Sequence, residues 1–226
     1  MKIAVLTIAY NEDFLLPHFA KHYSFADIIL YDNGSTDNTV KLAKELGITV
    51  KDFSSDENDR QAQTELMNTF TKKYKDYDWL IIVDVDEFVY HENLQQVIKD
   101  SLGYSVFNLI GYEMFFEGEI KDEITNIKTG IKRELNKPIV VSPKLITETN
   151  YGRGRHGWNP EGDIIYAPEK LKLLHYKYIG DVERVVKKNA EYIERTKKQS
   201  SRNDHYREDV TRKSWKKLKQ IKTKVL

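Results

Sequence analysis

Short apolar runs and amphipathic polar stretches alternate through the first 90 residues. Such apolar runs are typical of strands buried on both faces of a sheet, and the stretches between them suit helices. The predicted elements are strand 2–9, helix 13–23, strand 26–31, a helix capped at 35 or 36 and ending near 46, strand 48–53, helix 60–74 and strand 79–84. This alternation predicts an α/β fold with a mostly parallel, Rossmann-like sheet flanked by helices.

The pattern changes after residue 93. The second half predicts an aromatic strand at 104–116, a charged loop or hairpin arm at 119–137, a strand at 139–146, a Gly- and Arg-rich loop at 151–158, a short strand at 171–178 and helices from 181 onward. We therefore predict two parts, an α/β domain over 1–180 and a basic helical extension over 181–226.

Composition narrows the class of protein. Hydrophobic residues make up 40% of the chain, enough for a substantial core, and cysteine is absent, so disulfides and thiolate metal sites are excluded. The first apolar run is too short for a signal peptide or a membrane span. We expect a cytoplasmic protein, with association to a membrane as a further expectation.

Charge is distributed unevenly. Residues 181–226 carry 15 Lys and Arg against 7 Asp and Glu, a net charge of +8, and residues 1–180 carry a net charge of −7. Within 212–226 seven basic side chains flank apolar residues at helical spacing. The apolar positions are Trp215, Leu218, Ile221 and Val225. Such a helix either lies on an anionic membrane or docks its apolar stripe on the domain. Nucleic acid is not an expected partner, because the acidic body would repel it.

Three carboxylates follow the apolar run at 79–83. Asp84, Asp86 and Glu87 occupy four positions, and Asp84 and Asp86 share a face of an extended chain. Clustered carboxylates repel unless a cation lies between them, and oxygen ligands suit Mg²⁺ or Mn²⁺. The alternative is a strand that ends in solvated acids which cap a helix beginning near Glu92.

Polar clusters follow three of the predicted strands. They are Tyr10-Asn11-Glu12, Asp32-Asn33 and Asp84-Val85-Asp86. In open α/β sheets, ligands bind in the crevice outside the carboxyl ends of the strands. The three clusters therefore predict a binding site at this edge.

These stretches resemble the glycosyltransferase family 2 pattern, in its GT-A fold. The resemblance rests on Asn11-Glu12, on Tyr31-Asp32-Asn33-Gly34-Ser35-Thr36-Asp37-Asn38-Thr39 and on Val83-Asp84-Val85-Asp86-Glu87-Phe88. The Asp-x-Asp-Glu-Phe run and a late Leu174-His175-Tyr176 resemble the family 2-like and family 92-like branch. The sequence departs from the commonest pattern at Asn33, where a second Asp is usual.

The resemblance implies a set of site residues. Asp32 would bind the nucleobase of a sugar nucleotide, with Tyr10, Asn11 and Glu12 lining base and ribose. Asp84 would contact the ribose or the metal, and Asp86 and His175 would bind Mn²⁺ or Mg²⁺. Further nucleotide-sugar contacts are expected at Asn33, Arg60, Lys144 and His156. For His175 the alternative is a satisfied core histidine, and for Lys144 and His156 it is a solvated surface side chain.

The function implied is a metal-dependent glycosyltransferase that moves a sugar from a nucleotide-diphosphate sugar, UDP-sugar foremost, to a glycan or lipid-linked acceptor with inversion. Inversion needs a general base, for which Glu113 and Glu117 in the strand at 104–116 and its extension are the candidates. Two alternatives stay open. One is a haloacid dehalogenase-type phosphohydrolase, whose Asp-x-Asp normally opens the chain and ends in Thr, and the other is a non-catalytic sugar-nucleotide or glycan-binding module.

Overall fold

A computed structural model of the chain describes residues 1–55, 60–133, 137–155, 157–196 and 206–226. The first four strands form a parallel sheet, as predicted. They are β1 (Ile3–Ala9), β2 (Asp27–Asp32), β3 (Thr49–Asp52) and β4 (Trp79–Ile82), in the spatial order β3-β2-β1-β4. The helices between them are α1 (Leu16–His22), α2 (Thr39–Glu45), α3 (Arg60–Asn68) and α4 (Phe70–Lys73). The predicted fold class is confirmed.

β4 shows why this sheet is stable. Trp79 and Ile81 belong to the apolar cluster on one face of the sheet, and Leu80 and Ile82 belong to the cluster on the other face. All four side chains are buried. Because alternate residues of a strand point to opposite faces, a continuous apolar run is what a strand covered on both sides requires.

Two local predictions differ from the structure. The helix predicted over 60–74 is two helices that meet at Thr69. The helix predicted over 13–23 begins later, at Leu16 of α1. Before it, Asn11 has a left-handed backbone (φ 52°), and its side-chain oxygen accepts a hydrogen bond from Thr36 N at 2.8 Å. Asn tolerates this conformation better than most residues, so Asn11 ties two loops together at the sheet edge.

The second half extends the sheet with mostly antiparallel strands. Its strands are β5 (Glu87–Tyr90), β6 (Val106–Glu117), β7 (Thr129–Arg133), β8 (Val140–Val141), β9 (Ile146–Glu148), β10 (Glu161–Gly162), β11 (Tyr166–Gly180) and β12 (Thr223–Lys224). Its helices are α5 (Leu94–Asp100), α6 (Val182–Thr196) and α7 (Glu208–Ile221), with short 3₁₀ turns at Ile124–Asn126 and Arg153–Arg155. The sheet runs β12-β7-β6-β8-β4-β1-β2-β3, and β9 and β10 pair separately.

β11 determines how the site is assembled. It was predicted over 171–178 alone, but it is 15 residues long and pairs with both β5 and β6. In that register His175 lies opposite Glu87 of β5 and opposite Glu113 of β6. His175, from the second half of the chain, is thereby held beside the acids that follow β4.

α7 docks its apolar stripe on the domain. Trp215 and Leu218 are buried in a cluster with Phe115, Tyr178 and Val185. Of the two interpretations of this stripe, docking on the domain describes Trp215 and Leu218, which expose almost no apolar surface. In the described part of the chain, no helix combines the length and apolar character needed to span a bilayer.

Truncating the docked tryptophan should destabilise the fold. We expect Trp215→Ala to lower the free energy of unfolding by about 3–5 kcal/mol, since it removes a large buried side chain and leaves a cavity. Ile221→Ala, on the exposed side of the same helix, should change it by no more than about 0.5 kcal/mol. Urea denaturation of both variants measures this, and equal midpoints would show that α7 adds nothing to stability.

Candidate active site

A cleft of about 400 Å³ opens at the carboxyl ends of β1 and β4. α3, the 153–155 turn, β11 and α6 complete its walls. Seven of the residues predicted from sequence line it: Tyr10, Glu12, Asn33, Arg60, Asp84, Asp86 and His175. The site therefore lies at the predicted edge of the sheet, where parallel strands end together.

Asp86, His175 and Glu113 form a row that runs from the cleft into the sheet. His175 Nε2 hydrogen-bonds Asp86 Oδ2 at 3.1 Å, and its Nδ1 lies 3.1 Å from Glu113 Oε1. Burial disfavours the charged imidazole, but the carboxylates of Glu113 and Asp86 outweigh burial and raise the pKa of His175 well above its usual value. The alternative of a satisfied core histidine does not describe His175, because it lines the cleft.

Glu113 and Glu117 are not among the described residues that line the cleft, so the geometry favours neither, and the prediction that one of them is the general base stays a prediction. Glu113 lies behind His175, and its Oε1 is buried without a hydrogen-bond partner in the described structure. Glu117, at the end of β6, accepts a hydrogen bond from Trp215 Nε1 at 3.3 Å and pairs with Lys219. Glu117 therefore holds α7, and Glu113 contacts the side chain that faces the cleft.

The acids after β4 have two different partners. Asp84 Oδ2 lies 2.9 Å from Arg155 Nη2, and Glu87 Oε2 lies 2.8 Å from the same nitrogen. Glu87 also pairs with Lys137. Burial disfavours the Glu87 carboxylate, but Lys137 and Arg155 outweigh it and hold its pKa well below the usual range. The repulsion expected among these carboxylates is thus relieved by two basic side chains on separate loops.

The loops after β1, β2 and β3 are hydrogen-bonded to one another, and Asn11 N of the first donates to Ser35 Oγ of the second at 3.0 Å. The Asp32 carboxylate accepts a bond from Ser35 N at 3.2 Å, and Asn33 Oδ1 accepts one from Ser55 N at 3.3 Å. Asn11 and Asp32 lie beside the cleft-lining residues Tyr10 and Asn33 in the chain. Their predicted contacts to a nucleotide stay predictions.

α6 supplies a wall of the cleft that the sequence did not indicate. Lys188 Nζ donates to the Tyr10 and Asn11 carbonyl oxygens at 2.5 and 2.6 Å and lies 2.8 Å from Glu12 Oε1. Burial raises the pKa of Glu12 to about 7 although Lys188 opposes the shift. The boundary predicted at residue 180 stays a prediction, but the helix that follows it packs back on the first loops of the chain.

Arg195, near the end of α6, covers the tyrosine predicted to line the nucleotide. Its guanidinium carbon lies 3.6 Å from the centre of the Tyr10 ring, and its Nη2 donates to Asn33 O at 2.9 Å. The sequence signal was the concentration of basic residues after 181. It could not show that these side chains face the cleft.

One predicted contact lies away from the cleft, at Lys144. Lys144 is at the opposite end of β4, where its Nζ bonds Asp78 Oδ1 at 2.5 Å, so its prediction as a phosphate ligand is wrong. Asp78 directly precedes β4, whereas Asp84 and Asp86 follow it. His156 lies outside the described residues.

The fit of a divalent ion depends on Asp86 and His175. Among the described residues no three His, Asp or Glu side chains form a ready metal cage. A carboxylate oxygen and an imidazole nitrogen lie together at the cleft, and Asp84 faces Arg155 instead. Mg²⁺ typically takes only one or two protein carboxylates and completes its shell with water and substrate phosphates. This two-residue donor set fits that mode, and the predicted third ligand, Asp84, is engaged elsewhere.

Comparison with known proteins gives one sequence match and several fold likenesses. A sequence model of the family described as Glycosyl transferase family 2 matches residues 4–106. The chain is similar to S. aureus TarS 1–349 in complex with UDP-GlcNAc, at 14% identity over 91% of this chain and 69% of that one, with a TM-score of 0.45. It is also similar to glucosyl-3-phosphoglycerate synthase from Mycobacterium tuberculosis in complex with Mn²⁺, UDP and glucosyl-3-phosphoglycerate. That match has 17% identity over 49% of this chain and 44% of that one, with a TM-score of 0.36.

The chain thus spans less than half the length of the mycobacterial synthase. The matched segment includes nearly all of β1, the strands β2 to β5, and both aspartates that follow β4. The likeness to glycosyl transferase family 2 therefore covers the part of the chain that carries these elements.

Proposed function

We propose that the protein is a metal-dependent glycosyltransferase that transfers a sugar from a nucleotide-diphosphate sugar to an acceptor hydroxyl with inversion. The observation that carries the proposal is the meeting of Asp86 and His175 in the cleft at the carboxyl ends of the family 2 strands. The family match favours this reading over the phosphohydrolase alternative. A binding module without turnover would have the same cleft, so only an activity measurement separates it from an enzyme.

Asp86 and His175 would hold Mn²⁺ or Mg²⁺. When bound, the ion would neutralise negative charge on the diphosphate leaving group. The chain's own residues contribute the rest of the site. Tyr10 and Asn33 line the side where the nucleobase is expected, and Lys188 fixes the loop that presents them. We propose a UDP-sugar as donor and a glycan or lipid-linked acceptor.

The general base must be a carboxylate in the cleft that is not engaged by the metal. Of the described carboxylates that line the cleft, Asp86 is assigned to the metal, Glu12 pairs with Lys188, and Glu87 is buried against Lys137 and Arg155, so Asp84 and Glu191 remain. The Asp84 side chain is 52% exposed, so an acceptor hydroxyl can approach it. We propose Asp84 as the base, oriented by Arg155, in place of the two glutamates of β6.

The exposed basic side chains of α7 could still contact a membrane surface through their charge. Lys213, Lys216 and Lys217 all point to solvent. A peripheral contact with anionic lipids through these charges would need no apolar insertion. We retain that contact as a proposal, made by the charges alone and without insertion of Trp215.

The test of the function is a thermal-shift and turnover experiment. We expect UDP to raise the melting temperature more with Mn²⁺ than without it, and UDP-GlcNAc or UDP-glucose to be consumed with release of UDP. Stabilisation by UDP with no turnover of either sugar nucleotide on a panel of acceptors would favour the binding module. If neither Mn²⁺ nor any nucleoside diphosphate binds, the proposal is wrong.

Glu113→Gln should weaken Mn²⁺ binding without unfolding the protein. A carboxylate behind a metal-binding histidine orients the ring, and its loss typically weakens metal affinity by about 10–100-fold. Titration of Mn²⁺ by electron paramagnetic resonance in the presence of UDP measures this. Glu117→Gln, on the same strand but against α7, is the matched control and should leave Mn²⁺ affinity unchanged. A variant that binds Mn²⁺ normally yet turns over slowly would instead restore Glu113 as the base.

A further inference from the structure

Seven Lys and Arg side chains of the described residues line the cleft, and three of them have a carboxylate partner, while Arg184 and Arg195 donate to backbone carbonyls. Lys137 pairs with Glu87, Arg155 pairs with Asp84 and Glu87, and Lys188 pairs with Glu12. These cations are neutralised by the protein itself. They are therefore committed to holding the cleft together before any substrate arrives.

Lys177 is different. It is two residues beyond His175 on β11 and lines the same cleft, half-buried. Within the described structure, the Lys177 ammonium has no hydrogen-bond acceptor or ion-pair partner. Its contacts are with aromatic faces, at 4.5 Å from the ring centre of Tyr206 and 5.5 Å from that of Tyr178. A partly desolvated ammonium with three unused donors is unfavourable, and an aromatic face offsets only part of that penalty.

A second cation contacts the same tyrosine. Arg60 Nη2 donates to the Tyr206 hydroxyl at 3.1 Å, and the Arg60 guanidinium lies 5.0 Å from the Tyr192 ring. The rings of Tyr192 and Tyr206 pack on each other at 4.2 Å. No described carboxylate lies within ion-pair distance of Arg60. Two cleft-lining cations thus contact one aromatic pair, and neither has a carboxylate partner among the described residues.

The two carboxylates whose charge acts on Lys177 already contact another side chain. Asp86 bonds His175, and Glu113 lies against the other nitrogen of the same ring. A fixed pair of cations with unused donors is suited to an oxyanion, for which an arginine provides a planar fork and a lysine a point charge.

We propose that Lys177, with Arg60 and Tyr206, forms an oxyanion subsite that binds a phosphate group of a substrate. The proposal deepens the proposed function, on which its biological meaning rests. Two sources supply this chemistry: the diphosphate of the donor, or a phosphate carried by the acceptor. Neither Lys177 nor Tyr206 was indicated by sequence, because both depend on how β11 and the start of α7 meet.

The experiment compares Lys177→Gln with Lys170→Gln, an exposed lysine on the same strand. Inorganic phosphate, UDP and uridine are titrated calorimetrically into each protein with Mn²⁺ present, and circular dichroism checks the fold. We expect Lys177→Gln to weaken phosphate binding about tenfold or more, since a hydrogen bond to a charged group is lost. Lys177→Arg keeps the charge and should restore most of the affinity.

The titrations distinguish the two sources. Weaker UDP binding with unchanged uridine binding assigns the subsite to the donor's diphosphate. Unchanged UDP binding, together with Lys177-dependent phosphate binding to the UDP-saturated protein, assigns it to the acceptor.

The subsite is refuted if Lys177→Gln and Lys170→Gln bind inorganic phosphate and UDP with the same affinities. It is also refuted if neither phosphate nor UDP binds the wild type. Failure of the proposed function has a different signature. If the wild type binds phosphate through Lys177 but neither binds UDP nor turns over sugar nucleotides, the subsite proposal stands and the glycosyltransferase proposal fails.

Discussion

Asp86→Ala is expected to lower metal-dependent turnover by about a thousandfold. Metal stabilisation of developing charge contributes several kcal/mol, and each 1.4 kcal/mol is a factor of ten. Asp86 is the carboxylate that meets His175 at the cleft. The fold should survive, because the change removes one of several clustered acids and no apolar core volume. UDP affinity with and without Mn²⁺ and steady-state turnover measure the two effects.

A matched control distinguishes loss of the metal from a general effect of charge. Asp163→Ala removes an exposed aspartate outside the cleft and should leave turnover and Mn²⁺ dependence as in the wild type. If Asp86→Ala still binds UDP more tightly with Mn²⁺ than without it, by the wild-type ratio, then Asp86 is not a metal ligand. The proposed role of His175 would fail with it, since the two residues form one donor set.

The first half of the fold could be predicted because its signals are local. A run such as 79–83 specifies a strand covered on both faces. The helix predicted to end near 46 is α2, which ends at Glu45 just before Gly47, a glycine in a left-handed conformation (φ 73°). β5 and the full length of β11 were missed. Their pairing joins residues about 85 positions apart, and no local pattern reports such a partner.

The position of Asp86 at the cleft could be predicted because a carboxylate that follows a buried strand carries the information. His175 lies inside β11 and was expected at the site only from the family resemblance. Glu113 and Glu117 lie off the cleft lining because alternation along β6 indicates a face and not how far along the strand the cleft lies. Lys188 and Arg195 were missed for a related reason. The helical pattern of α6 shows which positions are apolar, but it does not show which loop its polar face will contact.

The sequence also did not indicate which basic residues pair with the three acids that follow β4. The sequence placed three acids together and predicted one cation among them. The structure divides them between Arg155, which takes Asp84 and Glu87, and the Asp86–His175 pair. A glycine- and arginine-rich loop does not reveal that one of its arginines will be buried. Arg155 is only 3% exposed, and its left-handed backbone (φ 60°) follows Gly154, which is also left-handed.

Arg155→Met should therefore be the most destabilising of the substitutions at the cleft. We expect the free energy of unfolding to fall by about 3–5 kcal/mol, the usual consequence of removing one partner from a buried ion pair. The buried Glu87 carboxylate would keep Lys137 but lose its second cation, and Asp84 would lose its partner. Methionine keeps much of the volume, so the effect reports charge more than packing. Equilibrium urea denaturation, with the denaturant slope checked for each protein, measures it.

Lys144→Met provides the comparison at an exposed ion pair of the same chain. Lys144 pairs with Asp78 at the far end of β4, and its side chain is 53% exposed. Exposed pairs contribute no more than about 1 kcal/mol, because water and salt screen them. A destabilisation in Arg155→Met no larger than in Lys144→Met would contradict the buried pairing. It would mean that Glu87 is held by Lys137 alone and that the loop at 153–155 carries its arginine for substrate and not for the fold.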